Sequence, residues 1–266
     1  MAMPKLQVIG GGKMGEALLS GLLTGGWATA TELRVVEKLP ARAAEVRAAF
    51  PAVTVAGDPD VAHGHLLAVK PGDVEAACRA LADTGSRAPV LSIAAGITLR
   101  RLEACLPPGI PVVRAMPNTP ALVGAGAAAV AGGRAADESD LAWAEQILGA
   151  VGRVVRVDEA LLDAVTGLSG SGPAYVFLVA EALIDGGVLA GLPRPVATTL
   201  AVQTLLGSAR LLDESPEGAA GLRAAVTSPG GTTAAGVRAL EAGGVRSAFL
   251  EAVLAATERS RELGRG

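Results

Sequence analysis

Leu6-Gln-Val-Ile-Gly-Gly-Gly-Lys-Met-Gly15 decides the fold. Leu6, Val8 and Ile9 read as a short buried strand. Glycines at 10, 12 and 15 fit G-x-G-x-x-G, and from Lys13 the apolar positions Met14, Ala17, Leu18 and Leu22 turn helical. A strand that runs into this glycine pattern and then into a helix is the context in which the motif signals dinucleotide binding. Gly10 serves the tight turn, Gly12 lets a pyrophosphate approach the backbone, and Gly15 lets the helix pack close to the strand. The unpaired N–H groups and positive dipole end of the new helix then face the phosphates. An ordinary glycine-rich turn is the plainer alternative in a chain with 35 glycines. It does not account for the strand, the spacing, the helix and a downstream acid together.

Composition narrows the field. The 266 residues suffice for one large domain or two smaller ones, with a sizeable core. Half the residues are hydrophobic but only six are aromatic, so Ala, Val and Leu must build that core. The net charge of −3, with no long run of one sign, offers no electrostatic surface for nucleic acid or anionic lipid. The chain enters its first strand directly, leaving no room for a signal peptide. The longest uncharged stretch, 115–133, contains two prolines and Asn118 and makes a poor membrane span. Cys78 and Cys105 form no C-x-x-C and suit a reducing, cytoplasmic setting. With only His63 and His65, neither a zinc site nor a Ser-His-Asp triad is readily assembled, and no metal is expected.

Strand and helix alternate to residue 157. Leu33–Glu37 reads as the second strand, and Glu37 ends it 22 residues beyond Gly15. An acid there bonds the adenosine ribose hydroxyls and disfavours a 2′-phosphate. Lys38 and Arg42 follow and could instead hold that phosphate, so both NADH and NADPH stay open. Strands are expected at 53–55, 66–69, 90–95, 111–116, 126–131 and 153–157, with a helix opening at Asp73 and others near 99–106 and 137–150. The pattern implies a parallel sheet with helices on both faces, a dinucleotide-binding Rossmann domain over residues 1–157. Ligands of such sheets sit beyond the carboxyl ends of the strands, which makes Lys70-Pro71, Ala95-Gly96 and Asn118-Thr119-Pro120 candidates to line the nicotinamide half of the cofactor.

Residues 158–266 read as helices joined by Gly/Pro turns, an all-α domain. Its helices are apolar on more than one side, as at Leu178, Val179, Leu183, Val188 and Leu189, which implies burial against a second copy. The stretches 169–175 and 227–233 each place hydroxyls and glycine N–H groups at an expected helix start, an anion site of main-chain donors. Simple capping by Ser228 or Thr232 is the alternative for the second.

The chain resembles pyrroline-5-carboxylate reductases over nearly its whole length. The carriers are Ile9–Gly15, Ala68-Val-Lys-Pro71, Ser92-Ile-Ala-Ala-Gly96, Met116-Pro-Asn-Thr-Pro120, Asp163–Tyr175 and Val226-Thr-Ser-Pro-Gly-Gly-Thr-Thr233. The resemblance implies NAD(P)H-dependent reduction of 1-pyrroline-5-carboxylate to L-proline. It also implies a helical domain that binds substrate and interleaves with a partner as a homodimer, and such dimers in this family assemble further into rings such as decamers. By position it implies cofactor contacts from Gly10, Gly11, Gly12, Lys13, Met14, Gly15, Ala68, Val69, Lys70, Pro71, Ala94, Ala95 and Gly96; Glu37, Lys38 and Asn118 join the cofactor candidates from their places at the strand ends. It assigns the substrate to Glu159, Ser228, Gly230, Gly231, Thr232 and Thr233, with Thr233 the candidate for a catalytic hydrogen bond to the ring nitrogen. Ala225 departs from the family, standing where some members carry Asn.

Two other readings compete. A β-hydroxyacid dehydrogenase would also combine a Rossmann domain with helices, and Gly167, Gly170 and Gly172 fit its G-x-x-G-x-G. Its essential lysine is replaced by Val176, however, and all four lysines lie at 5, 13, 38 and 70. A non-catalytic dinucleotide sensor would have no need of the Ser228–Thr233 loop.

Overall fold

The computed structural model describes residues 3–265. Eight strands form one sheet: β1 (Leu6–Ile9), β2 (Leu33–Val36), β3 (Thr54–Ala56), β4 (His65–Leu67), β5 (Val90–Ser92), β6 (Val112–Met116), β7 (Gly126–Gly132) and β8 (Gly152–Arg156). Their order across the sheet is β3-β2-β1-β4-β5-β6-β7-β8. The helices among them are α1 (Lys13–Thr24), α2 (Pro40–Ala49), α3 (Val74–Asp83), α4 (Leu99–Cys105), α5 (Glu138–Gly149) and the single turn α6 (Leu162–Val165). Beyond these lie α7 (Gly172–Leu189), α8 (Arg194–Glu214), α9 (Gly218–Ala225), α10 (Thr232–Ala242) and α11 (Val245–Arg265).

The sheet is parallel except at one seam, where β6 and β7 pair antiparallel; β7 and β8 are again parallel to each other. This qualifies the all-parallel expectation, and loop length is the reason. The link from β6 to β7, residues 117–125, holds only a 3₁₀ turn over Thr119–Val123. A parallel crossover needs about a dozen residues or more, usually a helix. The Pro-Asn-Thr-Pro stretch is too short, so the chain doubles back.

Alternation in β1 builds a core on each side of the sheet. Leu6 and Val8 pack with Leu18 and Leu22 of α1, Val46 of α2 and Ile147 of α5. Ile9 packs with Cys78 and Leu81 of α3, Leu102 of α4 and Leu162 of α6. These apolar side chains are small or branched, as the scarcity of aromatics requires.

By contacts the described chain separates into two compact units: residues up to Ser171 together with those from Ala255 on, and Gly172–Leu254. This contact division falls after Ser171, whereas the sequence pattern changes at 157/158. Leu162 is wholly buried in the sheet core, and the Ser260 hydroxyl donates to Asp163 Oδ1 at 2.7 Å, so these helical residues belong to the sheet unit. The glycine-rich 167–175 segment does not interrupt its helix either. Ser171 N–H donates to Thr166 C=O at 2.8 Å, a π turn over Thr166–Gly170 that runs on into α7. The Ser169 hydroxyl donates back to Val165 C=O. This stretch therefore presents no free helix start and is not the anion cradle its composition suggests.

One buried polar cluster has a pH consequence. Gln7 fixes its amide on the backbone of Asp60, donating through Nε2 to the carbonyl and accepting from the N–H. Nε2 also donates to His65 Nδ1 at 3.2 Å, so the ring proton lies on Nε2, facing Ser86 Oγ at 2.8 Å. Burial pushes the imidazole down to about 4 from 6.5. Between those values the unfolded chain binds a proton that the folded chain excludes, so stability falls as pH falls through that window. Urea unfolding should show wild type losing about 2 kcal/mol more than His65→Gln between pH 7.5 and pH 5. Parallel losses in the two proteins would contradict this.

Candidate active site

The glycine turn sits where three strands end together. Gly10 N–H donates to Val36 C=O at 2.9 Å, and Ala68 N–H donates to Ile9 C=O at 2.8 Å. Gly10 has φ +107°, and a Cβ there would lie 2.5 Å from the Ala68 carbonyl oxygen. Both facts exclude a side chain. A Cβ on Gly15 would lie 2.3 Å from the Gly10 carbonyl oxygen, so α1 crosses against the turn itself. Gly12 differs: nothing lies within 4 Å of where its Cβ would stand. It is the N-cap of α1 and no side chain caps the helix there. The N–H groups of the first turn, at Lys13, Met14 and Gly15, therefore open onto free space above Gly12.

Charged groups brace this turn. Glu37, just past β2, accepts from Gly11 N–H through Oε2 at 3.0 Å and from Leu39 N–H through Oε1 at 2.9 Å. Arg42 donates through Nε to the Gly11 carbonyl at 2.6 Å and through Nη1 to Glu45 at 2.6 Å, and it also pairs with Glu16. Lys38 is exposed.

The remaining cofactor candidates lie on the same edge of the sheet. Ile9 pairs with Leu67 and Leu67 with Ser92, so the loops after β1, β4 and β5 leave the sheet in register. Ala68 and Val69 are half-buried, Lys70 is exposed, and Pro71 starts a 3₁₀ turn. Ala94 is buried, Ala95 exposed, and Gly96 takes φ +74°. Asn118 follows β6, but its amide is committed to the fold: Nδ2 donates to Ser169 C=O at 3.0 Å and Oδ1 accepts from Ala127 N–H at 2.8 Å. Glu159 is likewise committed, its Oε1 accepting from Leu99 N–H at the start of α4 (2.6 Å) and from Arg114 (3.0 Å). Sequence reasoning passed over Arg114. A lone cation in the apolar run Val112-Val-Arg-Ala-Met116 was the available signal, since a buried guanidinium requires a partner.

In the helical unit, Val226–Gly231 forms a second glycine-shaped turn before α10. Gly231 N–H donates to Ser228 C=O at 3.1 Å, and Gly230 takes φ +70° with nothing within 4 Å of its missing Cβ. A Cβ on Gly231 would lie 2.4 Å from Ser228 Oγ. Gly231 is the N-cap of α10 and no side-chain hydrogen bond caps that helix, so the capping expected of Ser228 or Thr232 is not formed. Thr227 instead donates its hydroxyl to Arg223 C=O. Thr232 is exposed and Thr233 half-buried.

A parallel-dominated sheet with a bare glycine-turned helix start beyond β1 marks a dinucleotide-binding protein of the Rossmann type. Comparison with known proteins gives the family. Residues 159–263 match the profile for pyrroline-5-carboxylate reductase dimerisation, and residues 5–96 that for the coenzyme F420-dependent NADP oxidoreductases. The pyrroline-5-carboxylate reductase of a Synechocystis strain is 48% identical, covering 98% of this chain and 98% of that protein. The Arabidopsis thaliana protein of the same name is 42% identical, over 97% of this chain and 95% of its own. Among solved structures, the Coxiella burnetii pyrroline-5-carboxylate reductase superposes with a TM-score of 0.92 at 35% identity, over 98% of this chain and 99% of that one. The Plasmodium falciparum pyrroline carboxylate reductase, solved with NADP bound, gives 0.82 at 28% identity over 99% and 100%. The chain belongs to the pyrroline-5-carboxylate reductase family, enzymes that reduce the C=N bond of 1-pyrroline-5-carboxylate to L-proline with NAD(P)H. The β-hydroxyacid dehydrogenase and sensor readings fall with that membership.

The glycines separate packing from binding. Gly15→Ala should lose about 1–3 kcal/mol in thermal or urea unfolding, because its methyl meets a carbonyl that cannot retreat. Gly12→Ala should unfold within about 1 kcal/mol of wild type yet bind reduced nucleotide roughly tenfold or more weakly, read by fluorescence titration. Unchanged binding in Gly12→Ala would remove Gly12 from the site.

Proposed function

We propose that this chain carries out the family's reduction through two main-chain cradles, one per compact unit. Residues 10–15 hold the pyrophosphate. The bare start of α1 and the open space above Gly12 fit that group. Ala68–Pro71, Ala94–Gly96 and the backbone at Asn118 line the nicotinamide half, with Glu37 and Lys38 at the adenosine end. Ser228, Gly230, Gly231, Thr232 and Thr233 hold the substrate, its carboxylate against the uncapped N–H groups of α10 and its ring nitrogen at Thr233. Glu159 serves the site through the start of α4 and Arg114, consistent with its bonds. The observation that carries this reading is the uncapped, glycine-shaped start of α10 in a chain of this family.

When bound, the reduced nicotinamide supplies the hydride that adds to the imine carbon while the C=N π pair settles on the protonated nitrogen. The protein's task is to hold and align. The α10 N–H groups fix the carboxylate, and Thr233 Oγ accepts the ring N–H and sets its orientation. Alignment of this kind supplies about 7–11 kcal/mol of barrier reduction, so no strong acid or base is demanded.

Assembly and compartment follow the same reading. Phe177, Leu178, Leu189, Leu200 and Leu254 are exposed in the single chain, up to 90% at Leu189. The run Glu159–Leu189 is long and apolar enough to cross a membrane by composition alone. Its place in the region matched by a dimerisation profile supports a protein partner. We read a homodimer formed through the helical unit, with decamers built from such dimers. The cytoplasm is the compartment implied, and two free cysteines fit it.

Two measurements test these statements. In steady-state kinetics with pyrroline-5-carboxylate, Thr233→Val should lower kcat/KM about tenfold or more, the worth of a ~1–3 kcal/mol hydrogen bond. Turnover within twofold of wild type would refute that role. Light scattering should give at least twice the 26.4 kDa chain mass, and a monomer at micromolar concentration would refute the assembly.

A further inference from the structure

The choice between NADH and NADPH is made where the adenosine ribose meets the end of β2, and an inference about it rests on the function proposed above. The carboxylate of Glu37 is pinned there by two backbone donors, Gly11 N–H at 3.0 Å and Leu39 N–H at 2.9 Å. Each oxygen accepts one of these bonds and keeps acceptor capacity for a ribose hydroxyl. A 2′-phosphate would bring up to about two negative charges to the same place and no proton to donate.

The nearby cation that could reverse this preference is spent. Arg42 uses Nε on the Gly11 carbonyl, Nη1 on Glu45 and Nη2 on Glu16. Its guanidinium is the clamp of the glycine turn, and its charge is matched by two carboxylates. Lys38 is exposed, a point charge on a flexible stem. Around the turn stand Glu16, Glu37 and Glu45 against Lys13, Lys38 and Arg42, so no surplus of positive charge meets a phosphate beside Glu37.

We propose that Glu37, held by Gly11 and Leu39, together with an Arg42 already committed to Gly11, Glu16 and Glu45, makes this chain an NADH-preferring reductase. Arg42 thereby acts as a positioning residue for the turn and not as a phosphate ligand.

The test is steady-state kinetics of the full-length enzyme with pyrroline-5-carboxylate and each reduced nucleotide. Wild type should show kcat/KM for NADH roughly tenfold or more above that for NADPH. Glu37→Gln keeps the shape and an acceptor oxygen but removes the charge, so it should narrow that ratio severalfold by raising kcat/KM for NADPH. A structural defect would lower both values together and leave the ratio unmoved. A wild type that prefers NADPH, or a ratio unchanged in Glu37→Gln, overturns the inference while the reductase reading stands. Failure of both nucleotides to support turnover would overturn the reading itself.

Discussion

The sheet unit depends on the approach of backbone to backbone at the Gly10–Gly15 turn. The Gly10 and Gly15 positions leave no room for a methyl, one against the Ala68 carbonyl and the other against the carbonyl of Gly10 itself. These contacts set how near α1 lies to β1 and β4. Through α1 they set where Leu18, Leu19 and Leu22 enter the core. They also leave the first turn of the helix bare. Packing and binding share one geometric cause, yet different glycines carry them: Gly10 and Gly15 are spatial necessities of the fold, and Gly12 alone has free space above it.

The charges around the turn follow from its bareness. A main-chain loop with unpaired N–H and C=O groups has to be held from outside. Glu37 takes one Gly11 group and Arg42 the other. From sequence alone both read as side chains that meet the adenosine end of a dinucleotide; in the structure Arg42 spends its donors on Gly11, Glu16 and Glu45, while each Glu37 oxygen accepts one backbone bond and keeps acceptor capacity. The structure shows each already bonded to the loop that shapes the site. A residue's availability to a ligand is set by what else it must hold, and that information is absent from linear spacing.

Much of the fold was legible for a definite reason. Buried strands and amphipathic helices have different periods, and the apolar runs at β1, β2, β5 and β6 stand out against their glycine and proline boundaries. The reversal at β7 was legible in principle from the nine residues 117–125 that precede it, too few for a crossover helix. Other features were not. The π turn at Thr166–Gly170 hides because glycine and serine read as a break, while side-chain bonds from Thr166 and Ser169 to carbonyls one turn back hold the helix. The same turn accepts a hydrogen bond from Asn118 Nδ2 through the Ser169 carbonyl. Residues 158–171 and the end of α11 belong to the sheet unit through partners far along the chain, such as Asp163 with Ser260. Long-range pairs of this sort leave no local signature.

The proposed main-chain recognition also bears on the site's chemistry. Binding anions with helix starts removes the need for a lysine or arginine in direct contact with them. A substrate that is already an electrophilic imine relaxes the need for a tuned acid or base. The imidazole in the core, at His65, is held neutral between Gln7 and Ser86 as part of the strand packing. The helical unit is written mainly in Ala, Gly, Leu and Val. Such helices pack closely, as where Gly187 leaves only 3.1 Å between a would-be Cβ and Ala197 Cβ. The large apolar side chains they leave exposed in the single chain then call for a second copy to cover them. On the proposed reading, small anions are held by backbone N–H groups instead of side chains, and the exposed apolar faces are left for a second copy to cover.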